Sequence, residues 1–339
     1  MGSLALDMAI ILLATGAIWV GSGWLESSAE KLSAYYGLPP VVQGSIVTAV
    51  GSSFPELATV VFSAVFVGSL ELGVGAIVGS AIFNVLVIPA LAGITTGHDI
   101  EANRALVYKE AQFYMLSVSV LVIVFAMAVI YYPSGEGIPV GEITRPLAAI
   151  PVALYGLYMF IQYQDTSDHE ADHGAVEAAA VRQWGQLLAG LAVILIAVER
   201  LVHSVDVIGT EFGVPEFVMG VTIAAGATSL PDALVSVRAA REGRGVTAVA
   251  NVLGSNTFDL LVAIPVGVLI VGSTPIDFAM AVPMFGVLTL ATVLLFTVLR
   301  TGLALSDAES YLLLASYLTF VFWVVLETVT RVIDVLPNG

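Results

Sequence analysis

The chain has no cysteine in 339 residues. That excludes a disulfide framework, a thiolate metal centre and a cysteine nucleophile. Histidine is nearly as scarce. His98, His169, His173 and His203 fall at the ends of apolar segments or between them, which argues against a buried imidazole site for a transition metal. Charged residues make up 11% of the chain, where a soluble domain carries about 25%. Bases are the scarcest, 11 Lys and Arg against 27 Asp and Glu. A net charge of −16 offers no basic surface to nucleic acid. Apolar residues are what the chain has in abundance, 58% of the total. The composition is that of an all-α polytopic membrane protein whose surroundings are lipid, with no cofactor and no protein partner implied.

Apolar stretches long enough to cross ~30 Å of hydrocarbon fall near 5–23, 40–68, 72–95, 105–131, 146–163, 184–204, 214–240, 246–272, 276–299 and 310–331. The sequence therefore predicts ten transmembrane helices. The first stretch lacks the basic start of a signal peptide. Between the fifth and sixth stretches, Asp165, Asp168, Glu170, Asp172 and Glu177 crowd together. They lack the spaced aspartates of a calcium-binding loop and read as a solvated linker.

The two halves repeat. “YGLPPVVQGSIVTAVGSSFPELATVVFSAV”, from Tyr36, aligns with “FGVPEFVMGVTIAAGATSLPDALVSVRAA”, from Phe212. Gly37, Pro39, Gly44, Ser53 and Pro55 match Gly213, Pro215, Gly220, Ser229 and Pro231, all 176 positions apart, and Glu56 falls on Asp232. Further on, “GAIVGSAIFNVLV” matches “ANVLGSNTFDLLV” at an offset of 175, which places Asn84 on Asp259. The expected organisation is a first five-helix repeat over 1–163, an acidic cytoplasmic linker over 164–182, and a second repeat over 183–339. Five is odd, so the second repeat must run inverted, as in secondary transporters with midplane sites between their repeats. With both termini outside the cell membrane, the inner loops and span ends would hold Lys31, Arg104, Lys109, Arg182, Arg238, Arg241, Arg244 and Arg300. The outer ones would hold Arg145, Arg200 and Arg331. The imbalance favours that orientation.

Prolines and acids inside apolar runs carry the chemistry. Pro55 and Pro231 have no N–H to donate, which frees the carbonyls of Gly51 and Ala227. Broken backbone at membrane depth is tolerated where protein or a wet cavity satisfies it, and a cation is another way to do so. Ser52 and Glu56, Thr228 and Asp232, Ser80 and Asn84, and Ser255 and Asp259 are each four apart, the spacing of one helix face. Four such stripes meeting between the halves would form a cage of oxygens, which suits Ca²⁺ and Na⁺ rather than Zn²⁺ or Cu²⁺. Polar packing between helices accounts for a lone Ser or Asn. It accounts poorly for three carboxylates without a base in the same stretch, when a charge at the helix centre costs ~2.5–3.5 kcal/mol. Gly75 and Gly79 read as close helix packing.

“GSSFPE”, “GSAIFN”, “GATSLPD” and “GSNTFD” resemble the paired repeat motifs of the cation/Ca²⁺ exchanger superfamily, specifically Na⁺/Ca²⁺ exchangers. The resemblance covers both halves in order. It implies that Glu56 and Asp232 bind Ca²⁺ and, alternately, Na⁺, with Ser52, Thr228, Ser80 and Ser255 as hydroxyl ligands. It implies backbone carbonyls from Ala49 and Ala225, and side ligands from Asn84 and Asp259. It also implies that the first and sixth spans slide across a core of the other eight. Ala81 departs from the Asn many microbial members have there, and Asp232 is shorter than the Glu of some. “GSAIFN” and “LPD” resemble the K⁺-dependent branch, where an acid at the position of Asp259 helps bind K⁺; an acid there also occurs in K⁺-independent microbial relatives. The GNxxE-type motifs of H⁺/Ca²⁺ exchangers are absent. Three ionised acids would be neutralised by Ca²⁺ plus K⁺ or by three Na⁺, and by Ca²⁺ alone only if one stayed protonated. The expected function is Na⁺/Ca²⁺ antiport, with K⁺-dependent or H⁺-coupled exchange as alternatives. An intramembrane aspartyl protease using Asp232 and Asp259 would leave the repeat unexplained and finds no GxGD motif here.

Overall fold

The computed structural model describes residues 2–36, 49–96, 99–104, 106–134, 140–164 and 177–330. Its helices are α1 (Gly2–Tyr35), α2 (Ala49–Ser52), α3 (Phe54–Val67), α4 (Glu71–Thr96), α5 (Leu106–Tyr131) and α6 (Arg145–Gln164) in the first half. The second half holds α7 (Glu177–Phe212), α8 (Glu216–Thr228), α9 (Leu230–Arg241), α10 (Gly245–Val271), α11 (Phe278–Arg300) and α12 (Asp307–Thr330). Among the described residues eight helices are long and apolar enough to cross a membrane, and nine when α8 and α9 count as one span bent by 45°. The second expected span is represented by α2 and the short α3, and residues 40–48 of it lie outside the described residues. α7 begins inside the stretch read as linker; residues 165–176 of that stretch also lie outside the described residues.

The breaks sit where the prolines put them. Ser53 closes α2 with φ −85° and ψ 6°, and Ser229 closes α8 with φ −79° and ψ −8°. Matched positions thus share one near-bridge geometry. Pro55 and Pro231 follow in the first turn of α3 and α9, where the missing N–H removes no helix bond. Widened π-turns occur in the same two broken spans, at Ser63–Val67 and Gly220–Ala224, and also at the start of α5 (Leu106–Ala111) and within α10 (Asp259–Ala263).

α4 lies at the centre. It is apolar or small on every side and buried along most of its length, as expected of a helix with no polar face. α8, α9, α10, α11 and α12 all pack around it. Contact with α8 is backbone to backbone: a Cβ on Gly75 would stand 2.3 Å from the Phe217 carbonyl oxygen, and one on Gly79 2.2 Å from that of Val221. Those two glycines therefore serve packing, as their spacing suggested. α1 and α7 stand apart from this core. They pack chiefly on each other, crossing closely where a Cβ on Gly190 would meet the Gly21 carbonyl oxygen at 2.8 Å. Ile18, Leu25, Ile194, Val198 and Leu201 share a separate apolar cluster with Ala58, Leu72 and Ala76 of the core helices.

The chain is not wholly helical. β1 (Ile100–Glu101) pairs antiparallel with β4 (Ala304–Leu305), and β2 (Val140–Thr144) with β3 (Ser273–Asp277). β1 precedes α5 and β2 follows it; β3 precedes α11 and β4 follows it. α5 thus runs from the β1–β4 ribbon to the β2–β3 ribbon, and its counterpart α11 runs back the other way. The ribbons occupy loops that the apolar pattern left unassigned, and pairing supplies backbone partners that short loops need.

Gly79→Ala is expected to lower the unfolding temperature of the detergent-solubilised protein. The new methyl meets backbone, and overpacking costs about 1–3 kcal/mol or more. Gly23→Ala, with nothing within 4 Å of the added carbon, should leave that temperature unchanged or raise it.

Candidate cation site

Glu56 and Asp232 occupy the first turns of α3 and α9, directly after the two prolines. Each is 0% exposed, as are Asp259, Asn84, Ser52, Thr228, Ser80 and Ser255. Among the described residues no Lys, Arg or His is ion-paired with any of the three acids. The helix ends supply positive character instead, because first-turn N–H groups point at a carboxylate placed there.

Spacing along the chain anticipated which side chains gather, but not how they pair. Ser52 ends α2 and Glu56 begins α3, so the two are not on one helix face. Thr228 and Asp232 are likewise separated by the break at Ser229. The result is an exchange between halves: Ser52 stands against Asp232, and Thr228 stands against Glu56. Within each half the third-span hydroxyl completes the set. Ser80 donates to Glu56 Oε1 at 3.4 Å, and Ser255 donates to Asp232 Oδ2 at 3.1 Å. Asp259 and Asp232 are both near enough to Glu56 to act on it electrostatically. The contacts are therefore arranged twice, once about each acid.

One departure from twofold equivalence is Asn84, the counterpart of Asp259. Its Nδ2 donates to Asp232 Oδ2 at 3.2 Å, to Asn256 Oδ1 at 3.0 Å and to Ser80 Oγ at 3.5 Å. Asn256 in turn donates to the Ala81 carbonyl at 3.2 Å and to the Tyr114 hydroxyl at 3.3 Å. Ser229 donates to Ser80 Oγ at 2.7 Å. Ser229, Asn256 and Tyr114 were not among the expected ligands. Ser229 was visible as the partner of Ser53, and Asn256 as a motif position. Tyr114 sits in an apolar run with nothing to mark it.

Several buried oxygens lack a hydrogen bond of ordinary geometry: Glu56 Oε2, Asp232 Oδ1, both Asp259 oxygens, Asn84 Oδ1 and Ser53 Oγ, although Ser53 stands against Asp259. Burying such atoms unpaired is costly, and every one is a hard donor of the kind that Ca²⁺ and Na⁺ take. The donor set fits a cation. Among the described residues no three acidic or imidazole side chains close into a compact metal-binding group. Hydroxyls and amides stand between the acids, so a bound ion would draw on them as much as on the carboxylates. The expected carbonyl ligands differ in standing. That of Ala225 already accepts the Ser229 N–H at 3.0 Å and lies 3.4 Å from Thr228 Oγ1. Ala49 opens α2, and the residues before it lie outside the described residues.

A helical membrane fold with paired acids at two broken spans defines an ion-handling transporter core. The chain belongs to the sodium/calcium exchanger protein family, whose family model matches residues 6–164 and 182–326. A local match to human sodium/potassium/calcium exchanger 4 is 46% identical over 66 residues, 20% of this chain and 11% of that one. Two solved structures share the fold. The sodium–calcium exchanger NCX_Mj, soaked with 10 mM Na⁺ and zero Ca²⁺, aligns with TM-score 0.65 at 21% identity over 94% of this chain and 98% of that one. The H⁺/Ca²⁺ exchanger CAX aligns with TM-score 0.73 at 15% identity over 97% and 87%.

Tyr114→Phe keeps the ring and removes the hydroxyl that Asn256 meets. The expected loss is about 1 kcal/mol, read as a small fall in unfolding temperature. A double substitution with Asn256→Ala should then cost less than the sum of the two singles.

Proposed function

We propose that the protein is a secondary antiporter that exchanges Na⁺ for Ca²⁺ by alternating access at one shared carboxylate site. The observation that carries this reading is the pair Glu56 and Asp232. Both are fully buried at matched breaks of the two halves, and each keeps one oxygen unpartnered. Membership of the sodium/calcium exchanger family supports it. Na⁺ and Ca²⁺ would compete for the same oxygens, and that competition is the coupling: a site that must be neutralised can be filled by one set of ions or the other. Glu56, Asp232 and Asp259 would supply the charge. Ser52, Thr228, Ser80, Ser255 and Asn84 Oδ1 would supply neutral oxygens, joined by the backbone of Ala49 and Ala225.

Ten spans in two inverted repeats follow from the same reading. α5 and α11 are equivalent in sequence order yet run in opposite directions between the two ribbons. For β2 and β3 to meet, the chain between them must cross the membrane an even number of times. It does so only if the bent pair α8–α9 is a true span beside α6, α7 and α10. The excess of bases on the inner side favours both termini outside the cell.

A K⁺-dependent exchange is the second reading. It is favoured by Asp259, a third fully buried acid beside the other two, and by the local match to a sodium/potassium/calcium exchanger. The fold itself does not choose the coupling ion, since NCX_Mj and the H⁺/Ca²⁺ exchanger CAX both align with it. In proteoliposomes under a fixed Na⁺ gradient, ⁴⁵Ca²⁺ uptake should proceed equally with and without K⁺. Uptake that requires K⁺ selects the second reading. Uptake driven by a pH gradient with no Na⁺ present rejects both.

Glu56→Gln or Asp232→Asn should abolish Na⁺-driven ⁴⁵Ca²⁺ uptake. The expected fall is roughly a hundredfold or more, beyond the 10–100-fold typical of losing a partner one shell further out. Exchange at the wild-type rate in either variant would refute a shared site.

A further inference from the structure

A fourth acid lies beside this site and belongs to neither repeat pattern. Glu26 is in α1, within the membrane-spanning stretch Leu4–Ser33. Among the described residues it forms no ion pair. Its Oε1 is buried without a hydrogen-bond partner, although the residue as a whole is partly exposed. One turn earlier on the same face, Ser22 is 0% exposed and its Oγ also has no partner. α1 packs there against α2, α8 and α9. A Cβ on Gly51 would stand 3.9 Å from Glu26 Cγ, so Glu26 faces the small residue immediately before Ser52. Ser52 stands against Asp232. The charged groups close enough to act on Glu26 are Asp232 and Glu30, both acids.

The equivalent place in the second half is built differently. At the repeat offset of 176, Glu26 corresponds to Val202 and Gly51 to Ala227. Both of these belong to the apolar cluster between α7 and the core. One flank of the site is therefore sealed with hydrocarbon, while the other carries an acid, a hydroxyl and a glycine gap. An unpaired carboxylate inside a span is expensive and marks ion handling by default. Its position at a partly exposed rim, with one oxygen turned into the protein, suits an ion in passage rather than one held between four ligands.

We propose that Glu26, with Ser22, forms an outlying binding position for the transported hard cations on one flank of the site, through which they reach Asp232 from one membrane face. The proposal rests on the shared-site reading above and adds an asymmetry to it. Because only the first half carries the acid, its effect belongs to one face. Glu26 would raise the local cation concentration there and shorten the search for Asp232.

The test uses oriented proteoliposomes, with ⁴⁵Ca²⁺ and Na⁺ varied separately on each face. Glu26→Gln should raise the half-saturating Ca²⁺ concentration on one face by roughly three- to tenfold, the scale of one lost charge several ångströms from the ion in a partly wet site. The other face and the maximal rate should be unchanged, and Glu26→Asp should restore affinity. No shift, an equal shift on both faces, or a loss that Glu26→Asp does not repair would overturn the proposal. Failure of the shared site itself is separately visible, as exchange that survives Glu56→Gln.

Discussion

The structure turns on placing carboxylates where, among the described residues, no base is paired with them. Glu56 and Asp232 can be buried because each begins a helix just after a proline break. The break provides N–H donors on one side and loosened backbone on the other. Everything around them follows from that requirement. α4 must be small and apolar to bring Ser80 and Asn84 within reach, and Gly75 and Gly79 let α8 lie against it. The serines and threonine at the breaks then hydrate the acids in place of water. Full satisfaction is withheld: the remaining lone pairs are what a cation would use.

The second organising fact is duplication with small departures. Ser52 against Asp232 and Thr228 against Glu56 repeat one contact across the halves. Ser80 on Glu56 and Ser255 on Asp232 repeat another. Where the halves differ, the difference concerns charge. Asn84 answers Asp259, which leaves three acids rather than four about the centre and turns an amide donor toward Asp232. Val202 answers Glu26, which puts the fourth acid on the rim. A strictly symmetric site would carry an even charge. These two exchanges set its actual value and its distribution.

Much of this was legible in the sequence because lipid punishes exceptions. Glu56, Asp232 and Asp259 stood out as acids in apolar runs, and the repeat paired Glu56 with Asp232 at an offset of 176 and Asn84 with Asp259 at 175 without reference to any fold. Family membership followed from the same motifs. The pairing of side chains was not legible. Spacing of four assumes an unbroken helix, and Ser53 and Ser229 break it between hydroxyl and acid. The π-turn at Asp259–Ala263 has no local signature, and Tyr114 is one aromatic in an apolar run. Glu26 was hidden for a different reason: the first apolar stretch was read over 5–23, and only the fold extends that helix to Tyr35 and shows what Glu26 faces. The four short strands carry too few residues to show a period of two.

The two ribbons bear on how such a bundle can move. They grip α5 and α11 at both ends, and through adjacent segments they also fasten α4, α6, α10 and α12. The ribbons thus tie the ends of α5 and α11 together, clasping a frame at both ends of these helices. α1 and α7 escape the clasp and rest on the frame through a greasy seam of their own. Under the proposed exchange, α1 and α7 are the pair left free of the clasp to shift against the frame.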